Sequence, residues 1–277
     1  MTIAVRAIRL SRRVALALAA VLALAAAWPA EAGALDDIRA RGQFVVGTKA
    51  DYQPFGFRDG SGAVVGFEPD LAREIAKALG VSLKLVPVVA TNRVALLQSG
   101  QIDLIIATMN DTPERRKQVD FVEPSYYASG VNVLAPKSAR LHVWQELRGK
   151  PVCSVEGSFY IAEIQARYAP EMHLYKDTSQ VYAAVKAGEC VAAYDDAAII
   201  GQLQMDEWRD YEMPLRSILV QPWGMAVKPG NAELAVFVGG LVKKWHAAGH
   251  IEALEKTWAI PPSVFAQEMH RRYADAD

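Results

Sequence analysis

The chain has 277 residues, with 30 Lys and Arg against 31 Asp and Glu, a formal net charge of −1. That balance carries no basic stripe and argues against a nucleic-acid surface. The length suits one or two domains with real cores, and the two cysteines have no further ligands nearby at metal-site spacing.

The first 32 residues predict a cleavable secretory leader. Arg6, Arg9, Arg12 and Arg13 form a basic start, Val14 to Ala27 is an apolar run, and Trp28 to Ala32 ends in the small-x-small pattern of a cleavage site. The run has 14 residues, short of the roughly 20 that a spanning helix needs, and Pro29 stops a helix where cleavage would fall. Cleavage after Ala32 would release the rest into the periplasm, where no Cys follows the apolar run to carry a lipid anchor. Removing four Arg and one Glu with the leader leaves a net charge of −4. In that oxidising compartment Cys153 and Cys190 read as a disulfide, with two buried free thiols as the alternative.

Gln43 to Thr48 reads as a short buried strand. Glu68 to Leu79 is helical, because Leu71, Ile75, Ala78 and Leu79 fall on one face, and Gly80 ends it. A strand over Leu83 to Val89, a short helix over Arg93 to Ser99 and a buried strand over Ile102 to Ala107 follow. The order β-α-β-α-β predicts a parallel sheet with crossover helices. The rhythm then returns: strand Pro151 to Val155, helix Tyr160 to Tyr168, strand Met172 to Tyr175, helix Thr178 to Ala187, strand Val191 to Tyr194. A further strand is predicted over Gly224 to Val227. Helices are predicted from Ala232 and over Ile251 to Trp258, broken by Pro261 and Pro262. The Arg271-Arg272-Tyr273 tail reads as peripheral or frayed.

Enzyme and cofactor motifs are absent: no GxSxG elbow, P-loop, HExxH or CxxC occurs, so no cofactor or metal is called for. His246 and His250, four apart on a helix, read as a solvated face rather than a metal seat. The informative segment is Thr108 to Tyr127, directly after a buried strand, where ligands sit in open α/β sheets. It brings Thr108, Asn110 and Thr112 to that edge. Thr112-Pro113-Glu114 has the form of a helix start, which puts Arg115 in the first turn. The helix dipole disfavours a cation there. An anionic ligand would explain it, since guanidinium binds carboxylate through paired hydrogen bonds; a surface Arg paired with a nearby acid is the alternative. Tyr194-Asp195-Asp196 follows another strand and could offer a carboxylate to an ammonium group. Glu156-Gly157-Ser158 follows a third.

Taken in order, VGTKADYQPFGF, GFEPDLAREIAKALG, NRVALLQSGQIDLIIATM, TPERRKQVDFVEPSYYASG, the EGS turn and YDDA resemble the family-3 solute-binding proteins of polar amino-acid ABC transporters. The resemblance spans nearly all of the chain after the leader. It implies an α/β clamshell of two open sheets joined by a two-strand hinge. The first lobe would take 33–128 and 222–277 and the second 129–221, with crossing strands near Ser129–Ala135 and Gln221–Val227. It further implies a soluble, monomeric, non-enzymatic periplasmic receptor that hands an amino acid to an inner-membrane permease. By position, Arg115 would grip the ligand α-carboxylate, with Thr108 and Asn110 beside it; Asn110 is a mild departure from the family's usual small residues. Asp195 would hold the α-ammonium, Gly157 and Ser158 would close over the carboxylate, and Tyr52 would wall the side chain. Family members with cysteines at the positions of Cys153 and Cys190 bridge neighbouring strands of the second lobe. Lys49 and Arg93 are shared with binders of acidic amino acids, which favours glutamate or aspartate; Lys49 turned to solvent and a neutral ligand is the alternative. Periplasmic cyclohexadienyl dehydratases and ligand-sensing signalling subunits have the same general form and are the rival readings.

Overall fold

Five of the six residues of QFVVGT are buried in β1 (Gln43–Thr48), as an interior strand covered on both faces requires. The structure, a computed structural model, describes residues 33–274; the expected leader over 1–32 and its cleavage after Ala32 lie outside the described residues. After β1 come three short strands, β2 (Asp51–Tyr52), β3 (Gly56–Arg58) and β4 (Val64–Val65), which pair with one another as a small antiparallel sheet. The Phe67–Leu79 helix buries Leu71, Ile75 and Leu79 of the face its spacing predicts, together with Ala72 and Ala76, while Ala78 of that predicted face is exposed. Gly80 ends it in the left-handed conformation (φ 74°), which glycine adopts without a side-chain clash.

Next follow β5 (Ser82–Pro87), the Arg93–Gln98 helix, β6 (Leu104–Ile105), the Pro113–Arg116 helical turn and β7 (Asp120–Phe121). The expected strand over Ile102 to Ala107 is paired in the ladder only at Leu104–Ile105. The chain leaves the sheet immediately afterwards, and this is what delivers Thr108 to the sheet edge.

The second unit holds β8 (Tyr127–Pro136), β9 (Pro151–Val155), β10 (Glu171–Tyr175), β11 (Val191–Asp195), β12 (Tyr211–Glu212) and β13 (Ile218–Trp223). The helices Ile161–Tyr168, Thr178–Lys186 and Asp196–Gln202 lie between its strands. Then β14 (Ala226–Val227) returns to the first sheet, whose order is β5-β1-β6-β14-β7. Pairings β1–β5 and β1–β6 are parallel, as the β-α-β rhythm predicts, while β14 is antiparallel to both its neighbours. The second sheet runs β10-β9-β11-β8-β12, with β13 also on β8. The fold is therefore a two-lobed α/β clamshell.

Two strands pass between the lobes. Ten-residue β8 pairs antiparallel with β13 at Ser129↔Gln221 and Tyr127↔Trp223 and, further along, with β11. The strand expected over Gln221–Val227 is in fact two. Gly224 separates β13 from β14, and a side chain at Gly224 would strike the Phe121 ring.

The Ala232–Ala247 helix sinks Leu234, Val238, Val242 and Trp245 into the first-lobe core, and the His250–Thr257 helix follows it. The C-terminal tail corrects the expectation of fraying. Arg271, Arg272 and Tyr273 belong to a helix over Val264–Ala274 that buries Ala266 and Met269 and packs on the Ala232–Ala247 helix. His270 meets Glu252 at 2.5 Å and Tyr273 stacks on His246, ring centroids 5.9 Å apart. Two buried apolar residues are too faint a stripe to read as a helix; tertiary contacts supply the rest. His246 is likewise buried rather than solvated, with Nε2 2.9 Å from the Ser125 carbonyl. Among the described residues no cluster of three metal-ligating side chains occurs, and no helix is long and apolar enough to cross a membrane.

The disulfide reading of the cysteine pair holds. Cys153 on β9 and Cys190, the residue before β11, are bonded with Cα atoms 5.7 Å apart. Neither cysteine is free.

Candidate ligand-binding site between the two lobes

The carboxyl ends of β1, β6, β9 and β11 converge on one small cavity between the lobes. Lys49, Tyr52, Ala90, Arg93, Thr108, Asn110 and Arg115 line it from the first lobe, and Val155, Ser158, Tyr160, Tyr194 and Asp195 from the second. Eight of the nine residues expected at the site are on its wall. The ninth, Gly157, is adjacent, and its carbonyl accepts a hydrogen bond from Arg115 Nη2 at 3.1 Å.

Arg115 is placed by the helix start seen in the sequence. Thr112 caps the turn by accepting the Arg115 N–H at 3.3 Å, with Pro113 at the first helical position. Thr112 itself is a cap and does not line the cavity. The guanidinium donates from Nη1 to the Asn110 carbonyl at 2.8 Å. These two contacts leave further N–H groups of a five-donor fork available. Burial draws the Arg115 pKa down, with Asp195 opposing that shift.

Behind this wall lies Glu68, fully buried. Its Oε1 accepts the Thr108 N–H at 2.6 Å and the Tyr126 hydroxyl. Thr108 has a left-handed backbone (φ 46°), sparsely populated for a non-glycine residue. Glu68 thus pins a strained corner of the cavity. Burial pushes its pKa up to about 7 against the opposing hydrogen bonds from Tyr126 and Thr108. Arg93, 4% exposed, donates from Nη1 to the Ala107 carbonyl at 2.5 Å. Burial, and then the neighbouring Arg115 charge, lower its pKa to about 9.

From the second lobe, Asp195 leaves the end of β11 into the cavity while its neighbour Asp196 turns away. Asp196 Oδ1 accepts the Ser129 hydroxyl at 2.7 Å and the Gly130 N–H at 2.9 Å, tying its helix to the hinge strand. The structure so separates two adjacent acids that look alike in sequence. Tyr52 donates its hydroxyl to Asp195 Oδ2 at 2.5 Å and stacks on Tyr194, centroids 5.1 Å apart. Burial pushes the Asp195 pKa up to about 7, partly offset by the Tyr52 hydrogen bond. Asp195 Oδ1 and Asn110 Nδ2 are buried with no hydrogen-bond partner among the described residues.

Lys49 faces the cavity rather than solvent. It is 3% exposed, lies 5.5 Å from the centre of the Tyr52 ring, and pairs with Asp51 Oδ1 at 2.9 Å. The sequence reading missed Ala90, Val155, Tyr160 and Tyr194 as wall residues and Asp51 as the partner of Lys49. Tyr194 stood beside a residue it did select; Tyr160, at the start of a helix, carries no local signal of this kind.

Gly157 and Gly201 stand where the lobes come close enough to leave little room for a side chain. Gly157 is left-handed (φ 77°), and a side chain there would come 3.3 Å from Thr91 of the other lobe. A side chain at Gly201 would overlap Pro54.

Residues 44–261 match the family model described as bacterial extracellular solute-binding proteins, family 3. The chain is 32% identical over 228 residues to the ABC transporter glutamine-binding protein GlnH of Bacillus subtilis, covering 80% of this chain and 82% of that protein. Among solved structures, a cysteine-binding protein from Campylobacter jejuni superimposes with a TM-score of 0.77 at 26% identity, covering 82% of this chain and 92% of that one. An ancestral amino acid-binding protein, described as a precursor of cyclohexadienyl dehydratase, gives 0.73 at 27%, covering 82% and 99%. The chain belongs to the bacterial extracellular solute-binding proteins of family 3.

Proposed function

We propose that the protein is a periplasmic receptor that binds one L-amino acid between its lobes and delivers it to an ABC permease by hinge closure. One observation carries this reading: the cavity presents an unpaired carboxylate oxygen, Asp195 Oδ1, and an unpaired amide donor, Asn110 Nδ2, with Arg115 lining the same wall. Each buried unpaired polar group costs about 1–3 kcal/mol. A zwitterion satisfies both, its α-ammonium on Asp195 and its α-carboxylate on Arg115, Asn110 and Thr108, with the Gly157–Ser158 turn closing over the carboxylate. The relatives named for glutamine and cysteine bind ligands of this shape.

The side-chain end falls to Lys49, Arg93 and Tyr52. Two buried cations disfavour a cationic side chain and favour a carboxylate, so glutamate or aspartate is the preferred ligand. Closure acts through contacts that exist only when the lobes meet, since such contacts shift the population toward the closed form.

A thermal-shift screen of the protein without its leader against all amino acids tests this. A ligand at a hundred times its Kd adds about 2.7 kcal/mol of stability, so glutamate or aspartate should raise Tm by several degrees. Binding of arginine with neither acid would end the acidic preference; no response to any amino acid would end the receptor reading. An enzyme of the cyclohexadienyl dehydratase type is the reading to separate from it, because one structural relative is described as a precursor of that enzyme. Consumption of prephenate or arogenate by the purified protein would replace the receptor reading with that one.

A further inference from the structure

The segment from Lys49 to Tyr52 crosses the cleft twice, and the ligand-binding reading uses only one of the crossings. Tyr52 reaches Asp195. Asp51, one residue earlier, reaches the Thr178–Lys186 helix of the second lobe, where its Oδ2 accepts the Thr178 N–H at 2.7 Å. The first N–H groups of a helix have no partner within the helix. The cap residue Asp177 satisfies that of Gln180 at 3.0 Å. The Thr178 N–H is left to a carboxylate from the opposite lobe, in the position where the helix dipole favours an anion. The other oxygen of the same carboxylate, Asp51 Oδ1, holds Lys49 Nζ at 2.9 Å. One aspartate is therefore shared between a lobe-to-lobe contact and the lysine that lines the ligand cavity.

We propose that Asp51 sets the charge selectivity of the site, latching the lobes through Thr178 while neutralising Lys49, so that a ligand carboxylate must compete with Asp51 for the lysine. This rests on the amino-acid receptor reading. Asp51 does not touch the ligand; it is a positioning residue that acts through Lys49. A purely structural role would weaken every ligand alike, whereas competition for Lys49 changes the ratio between an acid and its uncharged amide.

Titration calorimetry at pH 7.5 with L-glutamate and L-glutamine reads that ratio in the wild type, Asp51→Asn and Asp51→Ala. Asn keeps an oxygen for the Thr178 N–H and drops the charge. The glutamate-to-glutamine affinity ratio should rise about tenfold in Asp51→Asn. In Asp51→Ala it should rise similarly while both affinities fall a further fivefold or so through loss of the latch. A ratio that is unchanged or lower in both variants overturns the inference. If the wild type binds neither ligand, the ligand reading fails by itself. Hydrogen exchange at the start of the Thr178–Lys186 helix then decides on Asp51 alone. Exchange at least tenfold faster in Asp51→Ala supports the latch, and rates equal to wild type overturn it.

Discussion

The two faces of the cleft are built on opposite principles. The first-lobe face concentrates donors: Lys49, Arg93 and Arg115, with Asn110 and Thr108 between them. It is braced from behind, since Glu68 and Tyr126 hold the Thr108 backbone and the Ala107 carbonyl holds Arg93. The second-lobe face has one carboxylate, Asp195, in an aromatic and apolar setting of Tyr160, Tyr194 and Val155. A row of buried cations is costly to desolvate and needs its compensation arranged before a ligand arrives. The lone carboxylate has only the Tyr52 hydroxyl as partner, and burial raises its pKa to about 7. The difference teaches that the first lobe gathers the donors and the second the single acceptor; on the proposed reading, the first lobe would recognise the ligand carboxylate and the second would complete the site on closure.

The largest effect that would break this comparison is expected at Arg115. Arg115→Ala removes the charged fork and should weaken amino-acid binding at least a hundredfold, about 3 kcal/mol or more, with little change in Tm without ligand. Calorimetry beside a thermal melt checks both. Binding as tight as wild type would show that the first-lobe face is not the carboxylate seat.

A smaller effect sharpens the role of the second lobe. The Asp195 pKa, raised to about 7 by burial, must fall when an ammonium docks, because an opposite charge favours the ionised form. Below about pH 7 the free site holds a proton that binding releases. Affinity should therefore fall as pH drops below 7, by up to about tenfold per unit, and level off above it. Calorimetry from pH 5 to 8 in buffers of different ionisation heat reads the released proton. A flat profile with no proton release would remove Asp195 from the ammonium contact.

The smallest effect on binding is expected at the disulfide. Cys153 and Cys190 are not on the cavity wall, and they close a loop with a sequence separation of 37. Loop-closure entropy for that length is worth about 3–4 kcal/mol. Cys153→Ala/Cys190→Ala should lower denaturant stability by about that amount yet change ligand affinity less than about threefold. A larger loss of affinity would mean that the second-lobe face depends on the bridge for its geometry.

Much of the site was legible in the residues because its signals are local. The Thr112-Pro113 cap fixes where Arg115 stands, and the strand before Thr108 and the strand before Asp195 end at the cleft. Residue chemistry leaves Asp195 and Asp196 alike, and only the family resemblance selects Asp195; what separates them physically is the hinge strand, far away in sequence, which claims Asp196 through Ser129 and Gly130. Asp51 was invisible for the same reason, as its partner Thr178 lies 127 residues further on. Glu68 read only as a helix residue; its carboxylate matters because Tyr126 and Thr108 converge on it from other segments.

The amino-acid sequence by itself determined the α/β rhythm, the strand ends that face the cleft, the helix start that aims Arg115 and the family resemblance. These depend on periodicity, capping and turn chemistry within a few residues. Only the tertiary structure decided how Asp196 is drawn off to the hinge strand beside Asp195, that the C-terminal tail is a packed helix, and that Lys49 faces inward held by Asp51. Those outcomes depend on burial and on partners distant in sequence, and burying a charge or a polar group is tolerated only where the fold brings it a partner.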